Sequence, residues 1–224
     1  MRKPHWIIAI LWLSLVAGVL PAFSQTAAPV QEPQRKTSTP YSGDLTIFDY
    51  PDRDQKLHVN QVMELLGITA GKSVADIGAG SGWFTERAAR RVTQTGKVYA
   101  MDINPEAVRY INDRGRKEGL RNITTILSTP DDPQLPPSSV DAVLLLKTYH
   151  EVAKPVQLMQ KVRVALSPGA RVGIIDRNGN GENHGVDKKV VVKEMESAGY
   201  QLTGEHDELV KADKMDYFLI FVAK

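Results

Sequence analysis

Nine residues, Val74 to Gly82, read VADIGAGSG and carry the first chemistry in this chain. A short apolar run ends in Asp76, glycines follow at 78, 80 and 82, and a helix is expected to start near Trp83. A strand that runs into a glycine-dense turn and then a helix N-terminus presents backbone N–H groups to a nucleotide-like ligand. The missing Cβ atoms allow close approach, and the helix start favours negative charge. Asp76, Gly78, Ala79, Gly80 and Gly82 are therefore the first candidate cofactor contacts. The dinucleotide fingerprint G-x-G-x-x-G would need a third glycine at position 83, where Trp83 stands. The phosphate-binding loop fails as well, because no lysine follows the last glycine.

A second acid lies at the distance such a unit requires. Val98 to Met101 reads as the next strand and ends in Asp102, twenty positions beyond Gly82. A carboxylate there can accept hydrogen bonds from both hydroxyls of a ribose. Ile103 follows and is placed to pack on an adenine face. Asn104, Pro105 and Glu106 then supply an N-cap, an N1 proline and an early acid, the makings of a helix start.

D-x-G-x-G-x-G followed by that acid resembles motif I of the class I S-adenosylmethionine (SAM)-dependent methyltransferases, in particular the small quinone-biosynthesis type. The resemblance runs through most of the chain after about residue 45. It implies SAM as cofactor and methyl transfer to a small-molecule acceptor. In that family the loop after the third strand carries a group that hydrogen-bonds the adenine amino group; here Asp131 and Asp132 are adjacent, and either fits. Lys147 or Arg53 would meet the cofactor carboxylate. Methyl transfer from a sulfonium needs alignment and exclusion of water, and a base only where the accepting atom carries a proton. Such a base belongs at the carboxyl ends of strands four and five, which makes His150 and Tyr149 the catalytic candidates. Asp176, Arg177 and the polar stretch Asn178 to His184 form a loop suited to substrate selection. Asn180, Glu182 and His184 lack the spacing of a calcium loop or a zinc motif, so no metal is expected. Two other readings stay open: a catalytically idle SAM- or nucleotide-binding protein, and an NAD-dependent oxidoreductase, which Trp83 argues against.

These residues need a scaffold, and the hydrophobic periodicity supplies one. Leu57, Val62, Leu65 and Leu66 predict a helix from Gln55 to Leu66; Phe84, Ala88 and Val92 mark the helix after the glycines, and Ala107, Val108 and Ile111 the next. Asn122 to Leu127 is a third strand, and Val140 to Leu146 (VDAVLLL) a central one buried on both faces. Pro155 starts a helix that Ser167, Pro168 and Gly169 should end, ahead of a fifth strand from Val172 to Asp176. A further helix carries Val190, Val191, Met195 and Ala198, and Tyr200 to Glu205 and Tyr217 to Ala223 form a closing hairpin. The fold class is α/β: one doubly wound, mostly parallel, seven-stranded Rossmann-like sheet with a C-terminal antiparallel edge hairpin. Tyr41 to Arg53, aromatic and charged, is expected to fold over the crevice as a lid.

The front of the chain has a different character. Arg2 and Lys3 precede an uncharged apolar stretch from Trp6 to Leu20, and Ala22 and Ser24 are small residues ahead of a cut before Gln25. That order predicts a signal peptide over residues 1–24, or a membrane anchor, followed by a Pro/Gln/Ser/Thr-rich linker over 25–45 and the methyltransferase domain over 46–224. Either form exports the domain to the periplasm or envelope, and the domain is cytoplasmic if the segment does not direct export. Of 28 basic side chains, Arg2 and Lys3 lie ahead of the apolar stretch, and the rest balance the 26 acidic ones. A neutral domain gives no electrostatic case for nucleic acid, and none for a membrane beyond the N-terminal segment. The absence of cysteine rules out a disulfide framework, a thiolate metal site and a cysteine nucleophile. Export sets a problem of supply, since SAM is made in the cytoplasm.

Overall fold

The run Val140–Leu146 becomes the centre of the sheet, as its unbroken apolar character requires. The computed structural model describes residues 1, 35–37, 39 and 41–224. The expected signal peptide lies outside the described residues, and the sheet and helices belong to the unit Glu32–Lys224. The described residues form seven strands: β1 (Ser73–Ile77), β2 (Lys97–Asp102), β3 (Ile123–Leu127), β4 (Val140–Leu146), β5 (Leu166–Asp176), β6 (Tyr200–Glu205) and β7 (Tyr217–Ala223). Their order in the sheet is β3-β2-β1-β4-β5-β7-β6, with β7 alone antiparallel to its neighbours. Sequence order reverses between β1 and β4, so the carboxyl ends of these two strands flank a crevice where open α/β sheets bind ligands.

Side chains alternate across the sheet with period two, and both faces are covered. Leu145, Ile174 and Leu219 join one core with Leu158 and Met159 of α5 (Pro155–Ala165) and Val191 and Met195 of α6 (Lys188–Ser197). Leu144, Phe218 and Ile220 join the other with Val62 of α2 (Val59–Leu65) and Phe84 and Ala88 of α3 (Trp83–Val92). The helix α4 (Pro105–Lys117) packs on β2 and β3. It starts as the sequence requires, with the Asn104 side chain accepting from the Glu106 N–H and Pro105 in the first turn.

Three details depart from the expected elements. The helix expected over Gln55–Leu66 is two helices, α1 (Arg53–Lys56) and α2, because His58 adopts a left-handed backbone with φ of 48°. Side-chain periodicity reports which face is apolar and is blind to the sign of φ. The strand expected from Val172 starts at Leu166 and carries Ser167, Pro168 and Gly169 within it. A register shift between Val140 and Ala142 of the neighbouring β4 absorbs them. In the closing pair, β6 is the edge of the sheet and β7 is interior, so the hairpin is entered from outside. No helix among the described residues is long and apolar enough to cross a membrane.

Candidate functional site

The glycine turn owes its shape to three left-handed residues, and two of them carry steric consequences. Gly78 has φ of 73°, and a Cβ there would meet the Thr148 side chain; Gly82 has φ of 74°, and a Cβ would lie 2.9 Å from Ile111 Cγ1. The turn is anchored from beneath by Gly78 and Ala79 N–H groups donating to the Met101 carbonyl. Asp76 does not project into solvent above it. The residue is 2% exposed, its carboxylate accepts a 2.6 Å hydrogen bond from Thr85 on α3, and burial pushes its pKa up to about 6.

Asp102 is set at the end of β2 with each oxygen already held. Oδ2 accepts from the Gly80 N–H at 2.9 Å and Oδ1 from the Asn104 N–H at 2.9 Å. Two fixed N–H groups lock the carboxylate plane, and the remaining lone pairs face the crevice. Above β1 and β4 lies a cavity of about 330 Å³, whose walls include Asp102, Ile103, Ser128 and Thr129 at one end and Lys147, His150 and Glu151 at the other. That volume is in the range of small-molecule sites. Tyr41, Leu45 and Phe48 cover it from the N-terminal side. Their segment is tied down where Asp49 takes Arg114 at 2.8 Å and Ser81 at 3.1 Å. The segment expected as a lid therefore lies on the cavity wall.

A second cavity, of about 410 Å³, adjoins the first, and the two share Lys147, His150, Arg177 and His184. His150 is buried in the single turn Tyr149–Glu151 after β4. Its Nδ1 lies 2.8 and 2.9 Å from the oxygens of Asp176, which closes β5 and is itself fully buried. The same carboxylate accepts from the His150 and Arg177 backbone N–H groups. A carboxylate accepts and does not donate, so Nδ1 carries a proton, and in the neutral ring Nε2 keeps its lone pair. Glu151, beside that ring, has its pKa pushed up to about 7 by burial.

The sequence candidates do not all reach the cavities. Asp76, Gly78, Ala79, Gly80, Asp102, Ile103, Lys147 and His150 line the first one; Gly82 lies below the turn as the N-cap of α3. Asp131 and Asp132 line neither cavity. They turn to α5, where Asp132 meets Lys161 at 2.7 Å and Asp131 accepts from Gln157 at 3.1 Å and lies 3.5 Å from Lys154. Ser128 and Thr129, just upstream, take the wall position. Tyr149 faces away from both cavities: it is fully buried in the core, with the Arg35 guanidinium 5.3 Å above its ring. Lys147 is held by Asp213 at 3.0 Å and Tyr50 at 3.0 Å, and burial lowers its pKa. Arg53 is buried between Trp83 and Tyr50, donates to the Phe48 carbonyl and lines the first cavity.

Three further residues belong to the site for reasons that local sequence does not show. Asp176 marks a loop boundary in the sequence, whereas in the fold it anchors His150. Arg35, inside the expected linker, donates to the Tyr149 and Val152 carbonyls at 2.6 and 2.9 Å and to Glu194, clamping the turn that bears His150. His184 meets the His150 ring edge-on, 5.7 Å between centroids, although no local spacing pairs the two.

The chain is similar to known proteins. Residues 74–169 match a family model described as a methyltransferase domain. Over 160 residues the chain is 24% identical to the ubiquinone/menaquinone biosynthesis C-methyltransferase of Hydrogenovibrio crunogenus, covering 69% of this chain and 63% of that protein. Over 114 residues it is 32% identical to the demethylmenaquinone methyltransferase of Tropheryma whipplei, covering 50% and 45%. The alignments thus span less than two thirds of either relative. A solved SAM-dependent methyltransferase from Aquifex aeolicus shares the fold with a TM-score of 0.70 at 24% identity, over 81% of this chain and 98% of that one. These findings show similarity to SAM-dependent methyltransferases, with a methyltransferase-domain match over residues 74–169, and imply S-adenosylmethionine as the cofactor.

Proposed function

We propose that this protein transfers the methyl group of SAM to a small-molecule acceptor held in the second cavity, beside His150. The observation that carries the proposal is the meeting of the two cavities at one buried, carboxylate-oriented imidazole. The donor sulfonium supplies an electrophilic methyl group whose positive charge disperses during an in-line displacement. Asp102 would receive the ribose hydroxyls on the lone pairs left by Gly80 and Asn104. Ile103 and the Ser128–Thr129 turn would flank the adenine. Arg53, with Lys147 nearby, would face the carboxylate end of the cofactor.

The protein's own contribution is alignment, exclusion of water and custody of one proton. Tyr41, Leu45 and Phe48 close the cofactor side. His150, with Nδ1–H committed to Asp176, presents Nε2 at the junction and takes the acceptor's proton where the accepting atom carries one; Asp176 stabilises the imidazolium that results. Lys56, Lys147, Arg177 and Lys214 line the acceptor cavity against Asp176 and Asp213, both already engaged, and this excess favours an acceptor that carries negative charge. The reading includes export, which rests on the basic, apolar and small residues of positions 2–24.

The test combines binding and transfer. Calorimetry should give one equivalent of S-adenosylhomocysteine per chain. Label from methyl-tritiated SAM should appear in members of a panel of small anionic acceptors whose accepting atom carries a proton, such as hydroxybenzoates methylated at the phenol hydroxyl. His150→Gln should lower that transfer by about 10²–10⁴-fold while leaving cofactor binding in place. Absence of S-adenosylhomocysteine binding would overturn the proposal. Binding without transfer to any acceptor would favour the catalytically idle reading.

A further inference from the structure

From the geometry we infer that His150, Glu151 and His184 form a site for a divalent transition-metal ion, Zn²⁺ or a similar ion, at the wall shared by the two cavities. The three residues each offer one ligand atom, and these atoms lie within 4.8 Å of one another. All three line the cofactor-side cavity, and the two histidines line the acceptor side as well. Two imidazoles and one carboxylate are the donor set of open, three-ligand metal sites that leave a position for water or substrate.

The strongest support stands behind the ligands. Metal-bound histidines commonly donate their other ring N–H to a carboxylate, which fixes the tautomer and turns the lone pair to the ion. Asp176 does this for His150, at 2.8 Å and fully buried. Glu151 Oε1 already lies 3.7 Å from His150 Nε2, on the lone-pair side. Two ligands about 2.1 Å from a tetrahedral ion stand roughly 3.4 Å apart, so from separations of at most 4.8 Å closing the site asks for a shift of no more than about 1.4 Å. His184 is exposed, on a polar loop after β5, and is the ligand that can supply this movement. Hard cations are disfavoured, since Ca²⁺ and Mg²⁺ take oxygen ligands and two of the three donors are imidazole nitrogens.

The sequence could not propose this site. His150 and Glu151 are neighbours in a turn, but His184 comes from the far side of β5, and no fixed-spacing motif links them. The binding claim stands without the methyl-transfer reading. Its consequence rests on methyl transfer but replaces the proton step given above: an oxygen or thiolate of the acceptor would complete the coordination sphere, the ion would hold it in line with the cofactor and favour its deprotonated form, and His150 Nε2, bound to the ion, would no longer act as the base.

The full chain, stripped of metal with a chelator, is titrated with Zn²⁺ by calorimetry and with Co²⁺ by visible absorption. One equivalent of each should bind, and Co²⁺ should give the d–d bands of a four- or five-coordinate site. Glu151→Gln and His184→Ala should each weaken Zn²⁺ binding at least tenfold, with circular dichroism unchanged. His58→Ala and His206→Ala should leave it as it is, and Mg²⁺ should give no saturable heat. Lack of saturable Zn²⁺ binding would overturn the inference. So would binding that survives the Glu151→Gln/His184→Ala double variant. S-adenosylhomocysteine binding, measured on the same metal-free sample, reports separately on the cofactor site.

Discussion

Replacing Asp102 with asparagine changes one atom's chemistry and leaves shape nearly untouched, which makes it a sharp probe of the cofactor site. The carboxylate offers acceptors at both oxygens, and each is spoken for on its inner side, by Gly80 N–H and by Asn104 N–H, both at 2.9 Å. Asparagine has one acceptor oxygen and an NH₂ group. Whichever way the amide turns, the NH₂ opposes one of these backbone donors and one ribose hydroxyl. The ribose loses a charge-assisted hydrogen bond worth about 1.5–3 kcal/mol. At 1.4 kcal/mol per decade this weakens S-adenosylhomocysteine binding by roughly 10- to 150-fold. The orphaned backbone N–H costs about 1–3 kcal/mol of stability, a fall in Tm of about 2–10 °C for a domain of this size. Calorimetry reads the first effect and thermal unfolding without ligand the second. An affinity within threefold of wild type, in protein whose Tm has fallen as expected, would refute the ribose assignment. Unchanged affinity and unchanged Tm would refute the two backbone hydrogen bonds as well.

Three further outcomes rest on the same geometry. Asp76 titrates at about 6 in the folded protein against an ordinary 3.8, so it favours folding fully below about pH 4, and this contribution is lost as pH rises through 6. The full difference is worth about 3 kcal/mol and most of it falls between pH 4 and 7, so the stability of Asp76→Asn relative to wild type should climb by about 2–3 kcal/mol over that range in urea titrations; parallel curves would contradict it. Gly82→Ala combines a left-handed backbone with the 2.9 Å contact to Ile111 and should cost about 2–4 kcal/mol, whereas Gly67→Ala, also left-handed but with nothing within 4 Å, should cost about 1–2. Equal losses in urea denaturation would remove the packing argument. Arg35→Ala removes the hydrogen bonds to the Tyr149 and Val152 carbonyls and to Glu194 and should cost about 2–4 kcal/mol by thermal unfolding, with Arg35→Lys recovering only part because it lacks the planar fork. Full recovery by lysine would argue for charge alone.

Much of the fold was written locally. The apolar run of β4, the Asn104–Pro105 helix start and the glycines at 78, 80 and 82 each specify their own element, because propensity, capping and left-handed backbone act over a few residues. The acid at the end of β2 was legible for the same reason, since strand length and turn length fix its distance from the glycines. Where long-range packing decides, local reading fell short. The break at His58 goes with the burial of Arg53 at the start of α1 and Leu57 just after its end, and the irregularity at Ser167–Gly169 goes with the pairing to β4. Asp131 and Asp132 carry the expected charge, but the lysines of α5 draw them away from the cavity wall.

The sequence by itself therefore determined the α/β architecture, the cofactor turn and the carboxylate of Asp102, all products of short-range rules. Only the tertiary structure decided which side chains meet at the cavities. It buried Tyr149, set Asp176 behind His150, brought Arg35 of the expected linker against the turn that bears His150, and carried His184 across to Glu151. Those groups meet because β4 and β5 are neighbours in the sheet, and a neighbour in a sheet is a relation between segments that no single segment encodes.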